Sequence, residues 1–171
     1  MKVGRLLKET RERKRFSQDN MAKSIFVSQQ LYSNLESNKR NMNEDLVRSS
    51  VHNYDDAKYG YEISRKVAKD YITPVADSGN AIEWHRLALE ENFVSTATEA
   101  VERFKKLSLI KPPKSTDETE KQQVAEGIKE LLDVKISIIS LLSCLEQEYD
   151  ISIQKCMNSR IQSWRAKGWT R

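Results

Sequence analysis

The chain has 171 residues, of which 38% are hydrophobic and 32% charged, and its formal net charge is +4. This length allows one large domain or two small ones, and a content of only 5 Gly and 3 Pro disfavours a turn-rich sandwich or barrel. No apolar run reaches the ~18 residues of a membrane span, residues 1–16 lack the apolar segment of a secretion signal, and Cys144 and Cys156 provide neither a disulfide framework nor a zinc site. We therefore expect a cytoplasmic protein that has no membrane partner, no metal and no cofactor.

The positive charge is concentrated at the beginning of the chain. Residues 1–53 contain 11 Lys and Arg against 6 Asp and Glu, whereas the remaining 118 residues contain 18 against 19. Such asymmetry indicates either an anionic partner, most often nucleic acid, or a basic helix that is simply well solvated. Charge alone leaves both interpretations open.

Helical patterns follow one another along the chain. Capping residues and apolar spacing predict helices over 3–14, after Ser17, after Ser28, and over 43–51, 55–72, 81–107 and 118–148. Pro74 and Gly79 mark a break, and consecutive prolines make residues 111–117 a linker. Because no strand pattern occurs, we predict an all-α protein with one domain over residues 1–73 and a second over 74–171.

The sharpest motif lies in the first domain. Two short helices separated by about three residues, the second rich in small polar side chains, are typical of a helix-turn-helix, whose second helix enters the major groove of DNA. Residues 3–51 resemble the Cro/CI-type (XRE) helix-turn-helix family of phage and bacterial repressors at Val3, Gly4, Leu7, Arg11, Phe16, Ser17, Gln18, Met21, Ala22, Val27, Ser28, Tyr32, Leu35, Glu36, Lys39 and Arg40. The resemblance implies a five-helix DNA-binding domain in a nucleoid-associated transcriptional regulator of repressor type.

The resemblance also implies roles for individual residues. Arg11 and Glu36 match an ion pair that ties the first helix to the recognition helix, and Gln18 matches a residue that grips a DNA phosphate. In the recognition helix, residues 28–38, the expected base-reading side chains are Ser28, Gln29, Gln30, Ser33 and Asn34, followed by phosphate contacts from Lys39, Arg40 and Asn41. Gln and Asn amides can bond adenine at two atoms. A solvated polar helix is the alternative interpretation.

The sequence departs from the family pattern in and beside the motif. Three positions that usually hold glycine hold larger residues here, namely Arg15, Phe26 and Asn38. Asparagine tolerates a left-handed backbone, but phenylalanine would be strained there, so we predict a differently shaped turn at residues 25–26. Thr10 stands where an aliphatic core residue is expected.

The second domain is predicted to be a helical hairpin or a dimerisation region. The helices 81–107 and 118–148 carry apolar residues at spacings of three and four, which suit either a core within one chain or an interface. Because helix-turn-helix repressors usually bind two half-sites as dimers, we expect a homodimer through this region. An adaptor whose C-terminal helices bind another protein is the alternative. The basic, Trp-containing residues 159–171 suit nucleic-acid contact or docking on their own domain.

Paired carboxylates give an enzymatic alternative. Glu99 with Glu102, and Glu130 with Asp133, would each share one helix face, a pattern similar to the Mg²⁺ motif of all-α nucleotide pyrophosphohydrolases. A chain this rich in charge produces such spacings by chance, and the sequence has neither a third acidic cluster nor a loop suited to a triphosphate. We therefore predict that the protein is not an enzyme.

Overall fold

All regular structure in this protein is helical over residues 1–77 and 79–171, the part of the chain that the computed structural model describes. These residues form eight α-helices: α1 (Gly4–Arg13), α2 (Gln18–Ser24), α3 (Gln29–Glu36), α4 (Glu44–Tyr54), α5 (Ala57–Ala68), α6 (Arg86–Lys106), α7 (Glu118–Tyr149) and α8 (Ile153–Ala166). Short 3₁₀ helices span Lys69–Tyr71 and Pro113–Ser115. None of these helices is both long and apolar enough to cross a bilayer. The predicted all-α class is confirmed.

The chain forms two compact units. The first combines Met1–Ile72 with Asp150–Arg171, and the second is Thr73–Tyr149. The structure thus groups residues 150–171 with the N-terminal helices, whereas the sequence predicted one domain over residues 74–171. One cause is a hydrogen bond within the first unit, from the Ser152 hydroxyl to Asp55 Oδ1 at 2.7 Å. The units also differ in charge, since the first has 20 Lys and Arg against 11 Asp and Glu and the second has 9 against 14.

The core of the first unit is built from the inward faces of its first five helices. Leu7, Met21, Tyr32 and Leu35, which the motif predicts to point inward, are at most 1% exposed. Burying a side chain of this size contributes about 1.5–3 kcal/mol. The Tyr32 hydroxyl donates to the Leu7 carbonyl at 3.3 Å, and burial raises the pKa of this phenol above its ordinary value. The predicted inward positions are confirmed.

Helices α2 and α3 begin at the predicted serine caps. The Ser17 hydroxyl accepts from the Asn20 amide at 3.1 Å, and the Asn20 side chain accepts from the Ser17 amide at 3.2 Å. The Ser28 hydroxyl accepts from the Leu31 amide at 3.2 Å. Such caps satisfy amides that have no partner within the helix and fix where each helix starts. Helix α3 ends at Glu36, two residues before the predicted end.

The three residues that stand in place of glycine all adopt a left-handed backbone. Their φ angles are 54° for Arg15, 58° for Phe26 and 57° for Asn38. The prediction that Phe26 would reshape its turn is therefore wrong. Hydrogen bonds from the Phe26 and Val27 amides to the Lys23 and Ala22 carbonyls, at 3.1 and 3.0 Å, hold the turn. Phe26 is 86% exposed, so no core packing opposes its left-handed backbone conformation.

Replacing Phe26 by glycine should therefore stabilise the protein. A left-handed backbone destabilises the folded state by about 1–2 kcal/mol for an L-residue, and glycine removes this cost. The greater conformational freedom of glycine in the unfolded chain offsets about half of the gain. We expect the free energy of unfolding, measured by urea titration, to rise by about 0.5–1 kcal/mol. Tyr71 is the matched control, because it is an equally exposed aromatic residue (85%) without a positive φ. If Phe26→Gly and Tyr71→Gly lower the free energy of unfolding equally, the left-handed backbone of Phe26 is not a source of strain.

In the second unit, α6 and α7 lie antiparallel and pack along their length. Three polar contacts give the register: Asn92 with Ser137 at 2.7 Å, Arg103 with Glu130 at 3.1 Å and Arg86 with Glu148 at 2.7 Å. Helix α6 begins at Arg86 instead of the predicted residue 81, because His85 caps it by accepting from the Leu87 amide at 3.3 Å. Three buried serines of α7, at positions 137, 140 and 143, donate to the carbonyls four residues before them.

Candidate nucleic-acid interface

Helix α3 carries its polar side chains on the side away from the core. Its buried residues are Tyr32 and Leu35, which recur at the helical spacing of three. Of the predicted base-reading residues, Ser28, Gln29 and Gln30 are exposed, and Ser33 and Asn34 are half-buried. The hydroxyl of Ser28 also serves as the cap of α3. The structure thus brings the five predicted residues together on and beside one short helix.

A chain of hydrogen-bonded side chains connects α1, α2 and α3. Arg11 Nη2 donates to Glu36 Oε1 at 2.8 Å, and Arg11 Nε donates to Glu36 Oε2 at 3.1 Å. Gln18 Nε2 donates to Glu36 Oε2 at 3.1 Å, and Gln29 Nε2 donates to Gln18 Oε1 at 3.3 Å. The Glu36 side chain is only 8% exposed. The hydrogen bond from Arg11 to Glu36 raises the pKa of the Arg11 guanidinium above its ordinary value, so the guanidinium stays charged.

This connection fixes the orientation of two side-chain amides. Because Gln18 directs its N–H group to the Glu36 carboxylate, its oxygen faces Gln29. Gln29 must then donate towards Gln18, and its own carbonyl oxygen and second N–H are directed elsewhere. The sequence suggested a phosphate contact for Gln18, but the structure also gives this residue a position between the ion pair and the recognition helix. The resemblance indicated Arg11 and Glu36 and did not indicate this continuation to Gln29.

The basic residues that follow α3 are exposed. Lys39, Arg40 and Asn41 lie in the irregular segment between α3 and α4. The Arg40 amide donates to the Asn34 carbonyl at 3.0 Å, which holds this segment against the end of α3. Within residues 1–77 and 79–171, neither Lys39 nor Arg40 has an acidic partner within ion-pair distance. Their charge is therefore available to an anion that approaches α3.

Further polar contacts at the C-terminal end of α1 were not predicted from the sequence. Arg13 Nη2 donates to Asp56 Oδ1 at 2.9 Å and to Thr10 Oγ1 at 2.9 Å. The second bond explains why a threonine is tolerated at a core position, since its buried hydroxyl has a donor. Lys14 Nζ also donates to the Asp55 carbonyl at 3.1 Å. Only complementary charge in residues some 40 positions apart could have indicated these contacts, and that signal is weak in a charged chain.

Helix α8 adds positive charge to the first unit. Residues 151–171 contain five Lys and Arg and no acidic residue. Arg160 lies over the Trp164 ring at 5.7 Å from its centroid, and Lys167 lies over the Trp169 ring at 5.0 Å. These are cation–π contacts within the segment, so the aromatic rings already have cationic neighbours.

The paired carboxylates of α6 and α7 do not form a common site. Glu102 accepts from Lys105 at 2.6 Å, and Glu130 accepts from Arg103 at 3.1 Å. Glu99 accepts from the Ser95 hydroxyl at 3.0 Å. In the part of the chain that the structure describes, no group of three or more His, Cys, Asp or Glu side chains is arranged to hold a metal ion. The geometry thus offers no support to the Mg²⁺-binding interpretation.

Comparison with known proteins identifies no relative. No family model, no curated protein and no solved structure matches the chain. The resemblance to the helix-turn-helix family therefore stays a prediction, and function is inferred from the geometry of the first unit.

Proposed function

We propose that this protein is a sequence-specific double-stranded DNA-binding regulator of transcription, which reads the major groove with α3. The observation that carries the proposal is the exposed amide pair Gln29 and Gln30 on α3, flanked by the exposed cations of Lys39 and Arg40. The major groove admits an α-helix, and a glutamine amide complements the N6 and N7 edge of adenine. The positive charge of the first unit supplies the attraction to phosphate.

The proposal assigns two kinds of contact to the site. Contacts to base edges come from the outward side of α3, through Ser28, Gln29, Gln30, Ser33 and Asn34. Contacts to the sugar–phosphate backbone come from Gln18, Lys39, Arg40 and Asn41. Backbone contacts set the register of the protein on DNA, and base contacts set its sequence preference. The proposal implies a cytoplasmic protein associated with the nucleoid.

Selection of bound sequences from a random double-stranded DNA pool, with the full chain, tests the proposal. We expect enrichment of a defined sequence that contains adenines where the α3 amides make bidentate contacts. Bulk binding that depends on salt but enriches no sequence would overturn the proposal, because phosphate contacts alone carry no sequence information.

Two substitutions should separate the two kinds of contact. Gln30→Ala should relax the preference at one or two base pairs, with a loss of about 1–3 kcal/mol for the selected sequence. Lys39→Ala should weaken binding to all sequences alike and reduce the slope of log K against log salt by about 1. Fluorescence anisotropy on the selected site and its single-base variants, at several salt concentrations, measures both effects.

The second unit provides the control for this experiment. Gln123 is an exposed glutamine of α7, so Gln123→Ala removes the same chemical group from the second unit, which the proposal assigns no DNA contact. It should change neither the sequence preference nor the salt dependence. If the Gln30 and Lys39 variants behave identically, the assignment of α3 as the recognition helix is wrong.

A further inference from the structure

Helix α8 and the residues after it carry a charge that the rest of the protein does not balance. Residues 151–171 contain no acidic residue, and their five cations are all exposed: Lys155, Arg160, Arg165, Lys167 and Arg171. Over residues 1–77 and 79–171, none of the five lies within ion-pair distance of an Asp or Glu side chain. In the second unit, by contrast, several exposed lysines each bond a glutamate of their own helix. We call these five residues the C-terminal cations.

The apolar side chains of α8 are covered more than its cations are. Ile153, Ile161 and Trp164 are half-buried, and their spacing places them on one side of the helix. Within Ile153–Ala166, Met157 is the one large apolar side chain in the open, at 43% exposure. A helix that lies on a membrane needs a continuous apolar face to enter the bilayer. The outer side of α8 is instead suited to a polyanion that it attracts by charge.

Two hydrogen bonds place the start of α8 beside a basic run that leads to α2. The Ser152 hydroxyl, which caps α8, donates to Asp55 Oδ1 at 2.7 Å, and Lys14 Nζ donates to the Asp55 carbonyl at 3.1 Å. The exposed Arg15 follows Lys14 directly, and Gln18, a proposed phosphate contact, comes three residues later. Positive charge thus continues from α8 through residues 14–15 to the end of α2 that is proposed to meet DNA.

We propose that the C-terminal cations bind the sugar–phosphate backbone of the same duplex, outside the base pairs that α3 reads. The inference rests on the proposed DNA-binding function and adds a second contact surface to it. The 14 residues of α8 span about 21 Å, the length of about six base pairs. Phosphates recur at every base pair, so cations along this helix can bind them without reading the sequence. The segment therefore adds affinity and salt dependence but no base preference.

The triple variant with Lys155→Gln, Arg160→Gln and Arg165→Gln tests the proposal in the full chain. Fluorescence anisotropy on the selected site, at several salt concentrations, measures its binding. We expect the dissociation constant at low salt to rise by about tenfold or more and the slope of log K against log salt to fall by about 3. Preference among single-base variants of the site should not change. Glutamine forms helices about as well as lysine and arginine, so α8 itself should be retained.

The matched control removes the same charge from exposed positions of the second unit, through Lys106→Gln, Lys114→Gln and Lys121→Gln. It should leave the salt slope unchanged. A charge-conserving variant, with Lys155→Arg and the two arginines replaced by lysine, should bind as the parent does. A loss that appears only in the glutamine variant of α8 then comes from charge and not from altered packing.

The length of the duplex tests where the contact lies. Lengthening the DNA on either side of the selected site should strengthen binding by the parent chain more than binding by the glutamine variant of α8. Equal gains in both would overturn the proposal, because the C-terminal cations would then contact nothing beyond the site.

Three further results would also overturn it. One is a glutamine variant of α8 with the affinity and slope of the parent. Another is an equal fall of the slope in the control, which would show an effect of net charge alone. The third is loss of binding to phosphatidylserine vesicles with unchanged binding to DNA, which would assign the segment to a membrane. Failure of the proposed function is distinct, since a parent chain that enriches no sequence refutes that function, whereas salt slopes on any duplex still report these phosphate contacts.

Discussion

Replacing Gly4 by alanine should lower the free energy of unfolding by about 3 kcal/mol. A Cβ atom at this position would collide with the Glu36 carbonyl oxygen and would lie 2.7 Å from Asn38 Nδ2. The Gly4 amide also donates to Asn38 Oδ1 at 2.9 Å, so the start of α1 and the end of α3 are in direct contact. Because one obstacle is backbone, it cannot rotate away as a flexible side chain would. The two helices must separate and loosen the core that they share.

Urea denaturation followed by circular dichroism measures this effect. Gly60→Ala is the matched control, since Gly60 lies inside α5 and an added Cβ there meets nothing within 4 Å. Alanine is the better helix former by about 0.5–1 kcal/mol, so Gly60→Ala should stabilise the protein. The same substitution should thus lower the free energy of unfolding at position 4 and raise it at position 60. A Gly4→Ala variant as stable as the parent would contradict the α1–α3 contact.

The substitution Glu36→Gln should lower stability by about 2 kcal/mol, because it removes the charge that the Arg11 guanidinium bonds. It should also relax the base preference at the position that Gln29 is proposed to read. A glutamine at position 36 offers an N–H group where Gln18 now meets an oxygen. The Gln18 amide would then reverse, and the amide of Gln29 would lose the orientation that Gln18 imposes on it.

The ion pair of Arg13 and Asp56 provides the comparison for this variant. The Asp56 side chain is 5% exposed and bonds Arg13 at 2.9 Å. Among the described residues, the hydrogen bonds of this pair involve no residue of α3. Asp56→Asn should therefore lower stability without changing the base preference. Both variants are measured by urea titration and by anisotropy on single-base variants of the selected site. Equal changes in base preference would refute the role of Glu36 in orienting Gln29.

The features that could be predicted from the sequence are the local ones. Ser17 and Ser28 cap their helices through amides three residues away, and the spacing of Leu7, Tyr32 and Leu35 specifies an inward face. These signals lie within a few turns of the chain, where propensity and periodicity apply. The exposed positions of Gln29 and Gln30 follow from the same spacing.

The remaining features depend on contacts between distant residues. The bond from Ser152 to Asp55 joins positions 97 residues apart, and it helps to group α8 with the first unit. Nothing in the local pattern of residues 150–171 specifies such a partner. The left-handed Phe26 was missed for a related reason. Its φ is set by the hydrogen bonds of the turn and by burial of Ile25, which outweigh the preference of phenylalanine itself.

The opposite charges of the two units have a consequence for the proposed binding to DNA. Their net charges are +9 for the first unit and −5 for the second. Duplex DNA carries one negative charge per about 1.7 Å of its axis, so its field attracts one unit and repels the other. If the proposed function is correct, more of the collisions that lead to binding should therefore begin at the basic unit. Salt limits this guidance to about 8 Å at physiological ionic strength. The association rate constant should consequently fall steeply as salt is added, even for DNA that lacks the selected sequence.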